Sequence, residues 1–144
     1  MALAVGTEAP NFTTVDDEGN TVSLSDFQGK IVVLYFYPKD DTPGCTKQAQ
    51  SFRDNYQEYQ DKDMVVLGVS MDDEASHKKF KEKYGLPFKL LVDTDGKITN
   101  AYDVSGGGYA KRVTYIIDAQ GTIIAVDDKV KTETHAQDIL TTIS

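Results

Sequence analysis

The chain predicts an α/β layered domain with a central mixed sheet, on three observations. Candidate strands and helices alternate along it. Residues 31–37 are an apolar, β-rich run of the kind found in strands buried on both faces, and residues 64–70 read as a second buried strand. The chain then finishes with a hairpin and a terminal helix. In order, residues 11–15 and 21–24 flank Asp16-Asp17-Glu18-Gly19-Asn20, a turn-rich segment that predicts an N-terminal hairpin. The 31–37 strand leads to Pro43-Gly44, read as a turn, and to a helix over 45–59 with Ala49, Phe52, Tyr56 and Tyr59 on one face. A second buried strand at 64–70 precedes a helix over 72–84 that stops before Gly85 and Pro87. Strands at 88–92 and 113–117 follow, and Asp118-Ala119-Gln120-Gly121 turns into a last strand at 122–126. Thr134 with Gln137 resembles a capping box, and Ala136, Ile139, Leu140 and Ile143 form the apolar stripe of the final helix.

Composition bounds the function. The 144 residues suit one domain spanning 1–144, and 40% hydrophobic with 26% charged residues is ordinary globular usage. With 23 acidic and 15 basic residues the net charge is −8, which disfavours nucleic acid and anionic membranes as partners. No apolar run has the length of a membrane span, and residues 1–6 lack the charged start of a signal peptide, so a cytoplasmic location is expected. His77 and His135 fall on separate helices, so no metal site is expected. Gly106-Gly107-Gly108 lacks the lysine and the setting of a phosphate loop and reads as a flexible loop. The eight tyrosines read as core and rim residues.

The single cysteine, Cys45, is therefore either inert packing or the centre of the chemistry. A lone cysteine is most often a small buried hydrophobe. Here it falls beyond the carboxyl end of a buried strand and in the first turn of a helix, where unpaired N–H groups favour thiolate over thiol. Lys39 and Lys47 add positive charge, offset by Asp40 and Asp41, and Gly44 admits close backbone approach.

Tyr37-Pro38-Lys39-Asp40-Asp41-Thr42-Pro43-Gly44-Cys45-Thr46 resembles the Pro-x-x-x-Thr-x-x-Cys segment of peroxiredoxins, with wording nearest the peroxiredoxin Q, or bacterioferritin comigratory protein, subfamily. Phe52-Arg53-Asp54, the Gly6-Thr7-Glu8-Ala9-Pro10-Asn11-Phe12 segment, Gly68-Val69-Ser70 and Arg112-Val113-Thr114-Tyr115-Ile116-Ile117-Asp118 extend the match over essentially the whole chain. The resemblance implies a thioredoxin-like fold with an N-terminal hairpin and a thiol-dependent peroxidase that uses no metal, flavin or haem cofactor. It makes Cys45 the peroxidatic cysteine, Thr42 the hydroxyl that hydrogen-bonds the peroxide, Pro38 the wall that shields the thiolate, and Arg112 the guanidinium that returns to the pocket. Gly44 joins Thr42, Cys45 and Arg112 in substrate binding, and Arg53 is a candidate support of the pocket. Taken alone, Arg112 would read as a solvated surface residue, Thr42 as a helix cap and Pro38 as a strand terminator.

The chain departs from the subfamily at two positions. Gln50 stands where many members carry a resolving cysteine, and Gln48 where a glutamate is common. With one cysteine an intramolecular disulfide is impossible, so a one-cysteine cycle is expected. Cys45 reduces hydrogen peroxide or an alkyl hydroperoxide, and an external thiol (glutathione, thioredoxin or glutaredoxin) reduces it in turn. A monomer is expected from the subfamily. The competing readings are a redox sensor or binding module on the same fold and a relic with an inert cysteine, which turnover with an external reductant would separate from a peroxidase.

Overall fold

The computed structural model describes residues 2–143, with the side chain of Ile143 outside the described set. The hairpin forms as β1 (Thr13–Val15) and β2 (Thr21–Ser23), paired antiparallel, and is followed by a 3-10 turn, Leu24–Phe27. The Asp16 carboxylate accepts the backbone N–H groups of Glu18 and Asn20, which closes the turn. Thr14 Oγ1 donates to the carbonyl of Val92 and ties the hairpin to the main sheet.

That sheet has five strands: β3 (Ile31–Phe36), β4 (Met64–Ser70), β5 (Lys89–Val92), β6 (Val113–Ile117) and β7 (Ile123–Asp127). Their order is β5-β4-β3-β6-β7. β3 runs parallel to β4 and β4 to β5, whereas β6 pairs antiparallel with β3 and β7 with β6. The sheet is mixed, as its sequence pattern implied, with the most apolar strand at its centre.

Alternation along β3 separates two cores. Val32, Leu34 and Phe36 face a layer containing Leu24, Ile98, Tyr102 and Tyr115. Val33, Tyr35 and Tyr37 face the other layer, which is built from α1 (Pro43–Asp54), α3 (Glu74–Tyr84) and α5 (His135–Ile143) and includes Cys45, Phe52, Phe80, Ala136, Ile139 and Leu140. The tyrosines expected in the core are there: Tyr35, Tyr37, Tyr59, Tyr102 and Tyr115 are among the largest fully buried side chains. Among the described residues no helix is long and apolar enough to cross a membrane.

Four local expectations are corrected. Pro43-Gly44 is not a turn before the helix but its first turn. Proline at the first helical position has its φ already helical and forfeits only an N–H that would be unpaired there. The helix expected over 45–59 is two helices, because Asn55 leaves helical geometry and its side chain donates to the Ser51 carbonyl at 2.9 Å. The second of them is α2 (Tyr56–Asp61), which still buries Tyr59. A short α4 (Lys97–Ala101) was not expected; buried Asp93 creates it by accepting the backbone N–H groups of Ile98 and Thr99. Thr134 and Gln137 form no capping box, since the Thr134 backbone N–H, which the Gln137 side chain would have to accept, donates to the Lys131 carbonyl at 3.2 Å. Elsewhere the boundaries move by a residue or two. α3 starts at Glu74, capped by Asp73, which accepts the N–H of Ser76, and it ends on Gly85 at φ 61°.

Gly68 in β4 is required by packing rather than by its backbone angles. A Cβ there would lie 2.9 Å from the buried ring of Tyr35 and 3.0 Å from Leu90. Gly68→Ala is expected to cost about 1–3 kcal/mol, because both neighbours are locked in the core. Urea unfolding of the two proteins at one temperature checks it, and a difference under a few tenths of a kcal/mol would contradict it.

Candidate active site

β3 delivers the chain to one end of the sheet, the loop 37–42 turns back, and α1 begins with Thr42 as its N-cap. Cys45 is thus in the first turn of the helix, and it is only 1% exposed. The antiparallel register Phe36↔Val113 places the start of β6 beside the end of β3, and so brings Arg112 to this loop from distant sequence. Its Nη2 lies 3.4 Å from Cys45 Sγ, and its Nη1 donates to Gln48 Oε1 at 2.7 Å. Gly44 makes room for the guanidinium, for a Cβ at that position would sit 3.0 Å from Nη2.

The structure therefore brings Cys45, Arg112 and Gly44 together, and adds Gln48. Gln48 entered the sequence reading only as a departure; here it is fully buried and its carbonyl oxygen orients the arginine. Its Nε2 is buried without a hydrogen-bond partner. Thr42 makes no side-chain cap bond. Its hydroxyl donates to the Lys39 carbonyl at 2.8 Å, which leaves the oxygen lone pairs free to accept. Pro38 is half-buried and lines a groove beside the loop with Met71, Gly108 and Tyr109.

Other candidates do not join the site. Lys39 is exposed, and Lys47 pairs with Glu133 at 3.8 Å. The Arg53 guanidinium donates to the Tyr84 carbonyl and to Asp54, so it fastens α1 to the end of α3. Gln50 is half-buried on α1. Gly106-Gly107-Gly108 forms a turn in which the N–H of Gly106 donates to the Tyr109 carbonyl.

Two histidines are buried near this end of the molecule and titrate in opposite directions. Burial works against charge on His77, but the Asp40 carboxylate outweighs it and raises its pKa above the ordinary value. Its contribution to stability is present below the unfolded histidine pKa and lost as pH rises through the raised one. Burial dominates at His135 and lowers its pKa to about 4, so its contribution is present above the unfolded pKa and is lost as pH falls below that value toward 4. Asp40, Asp72 and His77 lie close enough to share a cation, yet these groups largely bond one another and their neighbours.

A family model described as the AhpC/TSA family matches residues 5–126. The chain belongs to the AhpC/TSA family. Peroxiredoxin Bcp of Bacillus subtilis (strain 168) is 44% identical over 151 aligned positions, which cover 99% of this chain and 96% of that protein. The crystal structure of peroxidoxin BcpB from Mycobacterium tuberculosis superposes with a TM-score of 0.91 at 31% identity, covering 97% of this chain and 96% of that one. The bacterioferritin comigratory protein of Xanthomonas campestris, described for its alkyl peroxide reduction activity, superposes at 0.85 with 31% identity, over 91% and 88% of the two chains. This member of the AhpC/TSA family is thus a peroxiredoxin, a thiol-dependent peroxidase, with the thioredoxin-like fold and one cysteine.

Proposed function

We propose that residues 1–144 form a single peroxiredoxin domain that reduces hydrogen peroxide and alkyl hydroperoxides by a one-cysteine cycle centred on Cys45. The observation that carries this reading is the guanidinium of Arg112 at 3.4 Å from a buried sulfur in the first turn of a helix. In the first step Cys45 sulfur attacks the terminal peroxide oxygen. The S–O bond forms as the O–O bond breaks, sulfur loses two electrons, and the leaving oxygen takes a proton and departs as water or alcohol.

Negative charge moves from sulfur to the departing oxygen, and groups fixed in advance around that path lower the barrier. Arg112 supplies a cation held in place by Gln48. The N–H groups of the first helical turn supply a positive dipole end. Thr42, whose proton is committed to Lys39, accepts the peroxide O–H and orients it. Pro38 shields the sulfur from water, and Gly44 keeps the space that Arg112 and the peroxide share.

The sulfenic acid then condenses with an external thiol to give a mixed disulfide and water, and a second thiol releases Cys45 as the thiol. Glutathione, thioredoxin or glutaredoxin fits this need, since the chain carries no second cysteine. The same dependence suits a monomer in a reducing cytoplasm.

One equivalent of hydrogen peroxide added to reduced protein with dimedone present tests the first step. Labelling of Cys45, followed by intact mass, is expected to be at least about 10²-fold faster than labelling of free cysteine. Labelling at the rate of free cysteine would refute the peroxidase reading. Repeated turnover of peroxide with an external thiol then separates a peroxidase from a sensor that reacts once.

A further inference from the structure

The loop that carries Pro38 and Thr42 is fastened to α3 by a buried ion pair that the cycle described above does not use. His77, fully buried on α3, places Nε2 at 2.8 Å from the Leu91 carbonyl and Nδ1 at 2.7 Å from Asp40 Oδ2. A carbonyl only accepts, so Nε2 carries a proton. Asp40 already receives the hydroxyls of Tyr37, at 2.6 Å, and Ser76, at 2.8 Å. Two such donors stabilise the carboxylate. The proton between Nδ1 and Asp40 therefore belongs to the ring, and the pair is an imidazolium and a carboxylate.

The other elements packed here reinforce it. From the loop after β4, Asp72 accepts the backbone N–H of Asp40 at 2.8 Å and the hydroxyl of buried Ser70 at 2.6 Å. The titratable groups facing His77 are thus Asp40 and Tyr37 from the loop before α1 and Asp72 from the loop after β4, with β5 presenting only a carbonyl. On its own helix, Asp73 serves as the N-cap. Asp41 adds an outer fastening through Lys83 and Tyr84 of α3. Loss of the His77 proton leaves a ring lone pair facing either the carboxylate or the carbonyl, so at least one of its two bonds must break.

This matters because Cys45 is 1% exposed, and a thiol as large as glutathione cannot reach Sγ while the loop and the first turn of α1 stay closed. We propose that Asp40 and His77 are positioning residues that clasp the 37–42 loop to α3. The charged pair holds the pocket closed for the peroxide step, and release of the clasp admits the external thiol. The inference rests on Cys45 being the peroxide-reactive residue.

Two measurements test it. The first needs no variant and no peroxide: the His77 ring is titrated by NMR in wild-type protein, once reduced and once with Cys45 as its mixed disulfide with glutathione. Opening of the clasp and loss of the proton are reciprocally linked. The mixed disulfide is expected to hold the proton about tenfold less tightly, a midpoint lower by about one pH unit. Equal midpoints would overturn the clasp whether or not the protein is a peroxidase.

The second compares rates of Cys45 oxidation by hydrogen peroxide in wild type and His77→Asn from pH 5.5 to about 9, a range bracketing the histidine titration. The wild-type advantage is expected to be about tenfold at the acid end and to shrink as His77 loses its proton. A merely structural histidine would give a ratio that does not change with pH, and that result too would overturn the proposal. If both proteins react only as fast as free cysteine, the peroxidase reading fails instead, and the NMR titration still decides the clasp.

Discussion

Replacing Arg112 with alanine is expected to slow the oxidation of Cys45 by hydrogen peroxide about 10²- to 10³-fold, the usual loss when one fixed donor to a developing anion is removed. The guanidinium is well placed for an effect of that size. One nitrogen faces Sγ at 3.4 Å, and the other is locked by Gln48, so no reorganisation is needed when charge shifts from sulfur to oxygen. Arg112→Lys should recover only part of the rate, because an ammonium cannot bond Gln48 and face the sulfur with the same planar fork. Competition kinetics against a reference thiol, with thermal melts to establish that both variants fold, would check this. An alanine variant within twofold of wild type would remove Arg112 from the chemistry and leave it a packing partner of Gln48.

Phe52→Ala is expected to have the largest effect on stability, about 3–5 kcal/mol. Phe52 is fully buried two turns after Cys45 on α1. Its ring stacks on Tyr35 at 4.7 Å between centroids and meets Tyr59, Phe88 and His135 at 5.7, 6.0 and 5.5 Å. Those partners come from β3, α2, the start of α5 and the segment before β5, so they cannot all move inward to fill the space. Small domains are stable by about 5–15 kcal/mol, so the loss would take a large share of the total. A lowered urea midpoint with an unchanged slope is the expected signature. Because α1 also carries Cys45, the variant should lose peroxide reactivity even where it remains folded. A loss below about 1 kcal/mol would mean that the aromatic layer repacks around the gap.

Much of this molecule was legible along the chain, for a local reason. A strand buried on both faces must be apolar nearly throughout, and residues 31–37 and 64–69 are; the structure places those runs at and beside the centre of the sheet. The spacing of Ala49 and Phe52 announced the buried face of α1, and the wording around Pro43-Gly44-Cys45 carried the family resemblance. The elements that were misplaced share an opposite cause. Asn55 breaks the helix through its own side chain, and α4 exists because Asp93 accepts two backbone N–H groups; neither act leaves a hydrophobic period to read.

The resemblance implied Arg112 as a pocket residue, but its contact with Cys45 lay beyond any local pattern. Periodicity and motif wording describe a residue and its near neighbours in sequence, and they sufficed for the α/β class and for the family resemblance, which in turn named Cys45 and Arg112. Arg112 is 67 residues from Cys45, and their contact follows from the antiparallel register of β6 on β3, which no local pattern encodes. Gln48 looked like a missing glutamate until the fold turned its carbonyl oxygen onto that arginine. His77 entered only as a histidine on a separate helix from His135, and packing set Asp40 against it from 37 residues away. Burial converts such residues from solvated side chains into fixed charges, and burial is a property of the assembled layers rather than of any one of them.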